Sequence, residues 1–231
     1  MTAPLRAVLF DLDGTLLDTA ADLARALNAL RTERGLEPLA FGEIRGYVSH
    51  GSVALVRLGF PAASAAEQLA LRERLLVHYR AALSTDTRPF PGMLELLEAL
   101  RQAQLGWGVV TNKPGWLTDP LLASMELGGA PEVVVSGDTL AERKPHPLPL
   151  LHAAGALGVQ PAHCVYVGDA ERDVLAARAA GMRALVASYG YFAPSDQPQR
   201  WPADGWVDSP ADILSWVQRR QCLPARDVRE A

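Results

Sequence analysis

Arg6-Ala7-Val8-Leu9-Phe10 runs straight into Asp11-Leu12-Asp13-Gly14-Thr15, and the reading of this junction decides the fold. Its first half is a short, mostly apolar run of the kind that becomes a buried parallel strand. Two carboxylates follow with a single leucine between them. Side chains alternate along extended backbone, so Asp11 and Asp13 point the same way before Gly14 and Thr15 turn the chain. Like charges held that close raise each other's pKa unless a cation or a hydrogen-bond donor intervenes. Asp-Gly is also ordinary turn chemistry, but a fold rarely accepts a facing carboxylate pair for packing alone. The stretch reads as a carboxylate site at a strand end.

Working outward, the composition sets bounds. A chain of 231 residues can bury a good core as one large domain or two small ones. Hydrophobic residues make up 49% and charged residues 21%, the mix of an ordinary globular protein. The net charge of -4 offers no basic footprint for nucleic acid. No apolar run is long enough to span a bilayer, so no membrane partner is expected. The N-terminus enters its first strand without the segments of a signal peptide. Cys164 and Cys222 stand far apart; a buried thiol at Cys164, no disulfide framework and a cytoplasmic location are expected.

Thr19 and Asp22 have the spacing of a capping pair for a helix with Leu23, Leu27 and Leu30 as its apolar stripe and Gly35 as its stop. A second helix is expected from Phe41 through Val48, then a break at Ser49-His50-Gly51 and an apolar continuation to Leu58. Ser64 and Glu67 repeat the capping pattern ahead of Leu69, Leu71, Leu75 and Leu76. Ser84 to Pro91 reads as a linker. From Met93 onward the pattern alternates, with helices over 93–104, 117–127, 147–157, 171–180 and 210–219. Strands are expected over 107–111, 132–136, 164–168 and 183–187, with a short edge strand at 206–207. Such alternation predicts an α/β fold, a parallel sheet with helices on both faces. The charged end after Pro224 is expected to fray.

A βαβ unit takes about 30 residues, yet nearly a hundred separate Asp11 from Trp107. The excess is helical and leaves from the end of the first strand. It would therefore sit above the carboxyl ends of the strands, where open α/β sheets bind ligands. Residues 1–17 and 89–231 are read as the core, and 18–88 as an inserted helical cap.

Weak signals then fall at the ends of later strands. Thr111 and Asn112 offer a hydroxyl and an amide to an anion. Lys144, ahead of Pro145 and Pro147, has its backbone restricted. Gly168-Asp169, with Asp173 in the next helical turn, offers carboxylates to a metal ion or to a helix cap. Together these residues resemble the haloacid dehalogenase superfamily of aspartate-nucleophile phosphatases, over essentially the whole chain. Asp11-Leu12-Asp13-Gly14-Thr15 matches its first motif, Thr111 the second, Lys144 the third, and Gly168-Asp169 with Asp173 the fourth. Within it the chain resembles phosphoglycolate phosphatases. Val109 to Pro114, Tyr189 to Pro210 and Ile44-Arg45-Gly46 also resemble N-acetylmuramic acid 6-phosphate phosphatases.

The resemblance implies a Rossmann-like doubly wound core and an α-helical cap. It also implies a Mg²⁺ ion on Asp11, the Asp13 carbonyl and Asp169, with Asp173 supporting the metal. Asp11 would attack a phosphomonoester to form an aspartyl-phosphate that water hydrolyses. Lys144 would add positive charge, Thr111 and Asn112 would hold phosphate oxygens, and Asp13 would serve as acid and then base. The dehalogenase branch lacks the second aspartate, so Asp13 points to phosphoryl chemistry. In the cap, Arg45 and His50 are the candidate contacts to the leaving group, Arg45 through a substrate carboxylate. A β-phosphoglucomutase and a non-catalytic phosphate-binding module are the other readings; a redox dinucleotide enzyme is disfavoured because no Gly-x-Gly-x-x-Gly follows the first strand. The partner is a small phosphomonoester, and the oligomeric state is left open.

Overall fold

The structure is a computed structural model that describes residues 4–221, so Cys222 and the charged tail lie outside the described residues. The first apolar run forms β1 (Ala7–Phe10), buried along its whole length. Alternation sends Val8 and Phe10 into one hydrophobic layer and Ala7 and Leu9 into another. A strand that feeds two cores belongs inside a sheet covered on both faces. Beyond the aspartates the chain forms β2 (Leu17–Asp18) and the helices α1 (Ala20–Glu33), α2 (Phe41–Arg45), α3 (Gly51–Gly59) and α4 (Ala65–Ala81). It returns through β3 (Arg88–Pro89), which pairs antiparallel with β2, so the two crossings run side by side. The linker expected at 84–91 thus contains half of a short strap.

Thereafter helix and strand alternate as expected: α5 (Met93–Gln102), β4 (Gly106–Val110), α6 (Gly115–Ala123), β5 (Val133–Val135), α7 (Leu148–Ala156), β6 (Cys164–Gly168), α8 (Glu171–Ala179), β7 (Arg183–Ala187), β8 (Gly205–Val207) and α9 (Pro210–Gln221). The sheet order is β5-β4-β1-β6-β7-β8, with every neighbouring pair parallel. Met93, Leu97, Leu121, Ile213 and Val217 cover one face. Leu150, Ala153, Val174 and Ala177 cover the other. β1 lies between β4 and β6, where the strand order reverses. The crevice beyond its carboxyl end is where such sheets take ligands.

The helical segment has its own cluster, built from Leu27, Leu30, Ile44, Leu55, Leu75 and Tyr79, which also takes in Phe90, Leu117 and Tyr191. Ser64 caps α4 with Glu67 answering, as the sequence pattern requires. The start of α1 differs from expectation. Thr19 makes no capping bond; its hydroxyl donates to Asp13 Oδ1 at 2.7 Å. The Asp22 carboxylate accepts from the amides of Asp86 and Thr87 at 3.0 Å, so tertiary partners replace the local cap. The helix expected through Val48 ends at Arg45, and Gly46 beyond it packs so tightly on the Phe192 carbonyl that a side chain would overlap it. A single 3₁₀ turn, Val48–His50, leads into α3.

Candidate active site

Asp11, Thr111 and Asp169 follow the carboxyl ends of β1, β4 and β6, three neighbours in the sheet. Gly14 makes this closeness possible. Its φ of 80° suits glycine, and a Cβ there would overlap the Asp169 carboxylate. Lys144 arrives on the loop between β5 and α7. Asn112 fixes its backbone from both sides, donating from Nδ2 to the Lys144 carbonyl at 2.9 Å and accepting from its amide at 3.1 Å. The Asn112 amide, expected on phosphate oxygens, is therefore engaged in holding Lys144.

Asp11 and Lys144 are buried. Lys144 Nζ lies 2.9 Å from Asp11 Oδ1 and 2.8 Å from Asp173 Oδ1. It also donates to the Tyr166 hydroxyl at 2.6 Å, which in turn donates to the Val110 carbonyl at 2.6 Å. This chain of bonds fixes where the ammonium points. Burial opposes the charge on Asp11, but Lys144, Arg172 and the Leu12 amide outweigh it and hold Asp11 below the usual carboxylate range. Among the described residues, no lysine or arginine forms an ion pair with Asp169. Burial, then Asp11 and Asp173, push its pKa up to about 8. Ser49 and the Tyr191 amide donate to its Oδ2. Burial raises Asp173 as well, despite Lys144; its Oδ2 accepts from the Ala170 amide at 3.0 Å.

Asp13 points to a different set of partners. Its Oδ1 accepts from Thr19 Oγ1 at 2.7 Å and Lys113 Nζ at 2.6 Å. Lys113 also donates to the Tyr79 hydroxyl of α4 at 3.1 Å. Burial works against the Lys113 charge, yet Asp13 keeps its pKa above the ordinary lysine value. Thr111 is buried, and its Oγ1 accepts from the Lys113 amide at 3.2 Å, which leaves the hydroxyl proton for an incoming anion.

A cavity of about 260 Å³ opens over Asp11, Asp13, Thr111 and Asn112 and is roofed by residues of α3 and α4. His50 lines it, with Nε2 2.9 Å from Asp196 Oδ2. Arg45 does not line it. Its guanidinium donates to the carbonyls of Gly190 and Tyr189 at 3.2 and 3.3 Å and lies over the Tyr191 ring. The arginine expected to face a substrate carboxylate instead ties α2 to the loop after β7. Lys113, Arg172, Tyr166 and Ser49 carry contacts that sequence reasoning did not assign. Lys113 and Arg172 stood inside motifs already singled out, but which carboxylate each would meet depends on side-chain direction in the folded chain.

Asp11, Asp169 and Asp173 place one oxygen each within 4.8 Å of the others, and all three are buried. Asp169 Oδ1 is buried without a partner. Three hard oxygen donors and an orphaned carboxylate oxygen fit a divalent cation of the Mg²⁺ type. The Asp13 side chain stands outside this cluster, in contact with Lys113 and Thr19.

A parallel sheet with an Asp-x-Asp turn at its central strand, a lysine on the first of those aspartates and a carboxylate pair beside it define a family. The sequence model of the haloacid dehalogenase-like hydrolases matches residues 8–187. The chain belongs to this family and is a phosphatase-type enzyme within it. It is 48% identical over 216 residues to a phosphoglycolate phosphatase of Xanthomonas campestris pv. campestris, covering 92% of this chain and 98% of the relative. It is 38% identical over 219 residues to an N-acetylmuramic acid 6-phosphate phosphatase of Pseudomonas aeruginosa, covering 94% and 97% of the two chains. A crystal structure titled a predicted phosphoglycolate phosphatase, from Haemophilus somnus, superposes with a TM-score of 0.83 at 27% identity, covering 94% of this chain and 100% of that one. Among the described residues no helix is long and apolar enough to cross a membrane.

Proposed function

We propose that this enzyme is a Mg²⁺-dependent phosphomonoester phosphatase that works through an aspartyl-phosphate on Asp11. Its preferred substrate would be a small anionic metabolite such as 2-phosphoglycolate, met in the cytoplasm. Residues 18–88 would act as a cap over the core formed by 1–17 and 89–231. The observation that carries this reading is Asp11 itself, a buried carboxylate kept ionised by Lys144 beside the pair Asp169 and Asp173.

Lys144 and the Leu12 amide occupy Asp11 Oδ1, so Oδ2 is the atom free to attack phosphorus. Thr111 would donate its hydroxyl to a phosphoryl oxygen, while Lys144 would offset negative charge near the reacting atoms. Asp13 has Oδ1 bound to Lys113 and Thr19. A proton on its Oδ2 would pass to the departing ester oxygen. Returned to carboxylate, Asp13 would take a proton from water, which attacks phosphorus, frees inorganic phosphate and restores Asp11. Asp11, Asp169 and the Asp13 carbonyl would hold Mg²⁺, with Asp173 supporting them. The ion supplies the positive charge that lets a carboxylate approach a phosphate dianion.

The relative from Pseudomonas aeruginosa favours a second substrate, N-acetylmuramic acid 6-phosphate. A cavity of about 260 Å³ favours the smaller ester, since the pockets that take drug-sized ligands run to roughly 300–1,000 Å³. Phosphate release from a panel of esters containing both, with Mg²⁺ and with a chelator, tests the reading. Turnover on 2-phosphoglycolate that a chelator abolishes is expected; metal-independent turnover, or none on any ester, would contradict it.

A further inference from the structure

Lys113, Arg172, Arg143 and Arg72 are the lysines and arginines that line the cavity. Lys113 is paired with Asp13. Arg172 lies among Asp11, Asp169 and Asp173 and donates to the Ser49 carbonyl. Arg143 is exposed. Arg72 differs from all three. It is half-buried on α4, its Nε donates to Ser52 Oγ at 3.0 Å, and no carboxylate among the described residues pairs with it. Held at Nε, the guanidinium keeps both Nη groups for a planar anion.

Arg72, Leu76 and Tyr79 follow one another at spacings of four and three and all line the cavity, so one face of α4 forms part of its wall. Tyr79 touches Lys113, which holds Asp13, the acid at the leaving oxygen. Arg72 lies two turns back, roughly 10 Å along the helix axis. It therefore faces the leaving group rather than the phosphoryl group. Leu23, Val48, Leu55 and Leu76 line the same space and limit water around it, which strengthens an ion pair there. A half-buried guanidinium without a counter-ion carries a desolvation cost that a ligand anion would relieve.

We propose that Arg72, held by Ser52, is a specificity-determining residue that binds a carboxylate on the leaving group, so that the substrates are phosphomonoesters carrying a carboxylate. This inference rests on the phosphatase reading above. Both 2-phosphoglycolate and N-acetylmuramic acid 6-phosphate meet the requirement, and the test separates them. Calorimetry on Asp11→Asn protein, whose turnover is too slow to interfere, compares each of these esters with ethyl phosphate. At least one carboxylate ester binds roughly 10- to 100-fold more tightly than ethyl phosphate, and its identity names the source. Adding Arg72→Met erases that difference; Arg72→Lys, which keeps the charge and loses the fork, retains part of it. In the otherwise native enzyme, Arg72→Met lowers the kcat/KM ratio of that ester over ethyl phosphate by the same factor. A preference that survives both substitutions, or no preference for either carboxylate ester, overturns the proposal. Failure of the phosphatase reading would look different: no phosphate released from any of the three esters in Mg²⁺, with the binding comparison still measurable.

Discussion

Asp11 and Arg72 line one cavity from the sheet and from the helical segment, and the two sides are built by different rules. On the sheet side, Lys144 and Lys113 each contact a carboxylate, and each of those carboxylates is fixed by further bonds. On the helical side, Arg72 has a hydroxyl for a partner and no counter-ion among the described residues. Asp11 and Asp13 are held in place before substrate arrives and have little room to adapt, as electrostatic preorganisation requires. The helical side lacks an anion that the ligand can bring. On the proposed roles, chemistry and selection would fall to separate elements, and substitutions on the two sides should fail in different ways.

The largest effect belongs to the sheet side. Asp11→Asn should lower kcat on every ester by about 10⁴-fold or more, measured as phosphate release, with little change in ester preference. Asp13→Asn should lower kcat by about 10²- to 10⁴-fold. That loss should be greater on alkyl esters than on para-nitrophenyl phosphate, whose leaving group departs without a proton. Equal losses on both would remove Asp13 from the acid role.

The carboxylate pair beside Asp11 gives a pH signature. An aspartate whose folded pKa exceeds its unfolded value favours the folded state while protonated, and loses that advantage as pH rises. For Asp169 the window runs from about 4 to about 8, and the raised Asp173 adds to it. Asp11 is depressed and acts only below that window. Metal-free protein should therefore lose thermal stability as pH rises from 5 to about 8, and excess Mg²⁺ should flatten the slope. Thermal melts across this range check it; a slope that Asp169→Asn leaves intact would assign it elsewhere.

The smallest effect belongs to Arg45. Loss of its bonds to Tyr189 and Gly190 should cost about 1 kcal/mol, read as a drop in Tm of roughly 2–4 °C. Its effect on ester selectivity should be far smaller than that of Arg72→Met. The reverse order would reinstate Arg45 as the selecting arginine.

The contrast also accounts for what the sequence could tell. Asp11, Thr111 and Asp169 are legible because a polar side chain that ends a buried apolar strand gains little from packing and is well placed to meet a ligand. The alternation of elements then fixes which strand ends share an edge. Lys144 is legible only with them, since its place depends on Asn112, 32 residues earlier. The helical half is harder to read. Arg45 and Arg72 are both arginines on helices, and what separates them is tertiary: Arg45 is taken by the Tyr189 and Gly190 carbonyls, over 140 residues away. Asp22 matches a local capping pattern but is captured by Asp86 and Thr87 across the strap. Tertiary partners overrode local signals where the helical segment meets the core, at Thr19, Asp22, Arg45 and Gly46.

In the proposed mechanism Asp11 carries phosphorus during turnover. Rapid acid quench of the enzyme with an ester labelled in its phosphoryl group, followed by peptide mapping, tests it directly. A transient, hydroxylamine-sensitive label on the peptide containing Asp11, formed before inorganic phosphate appears, is the expected result. Phosphate release with no protein-bound label at any quench time, or a label on another residue, would contradict it.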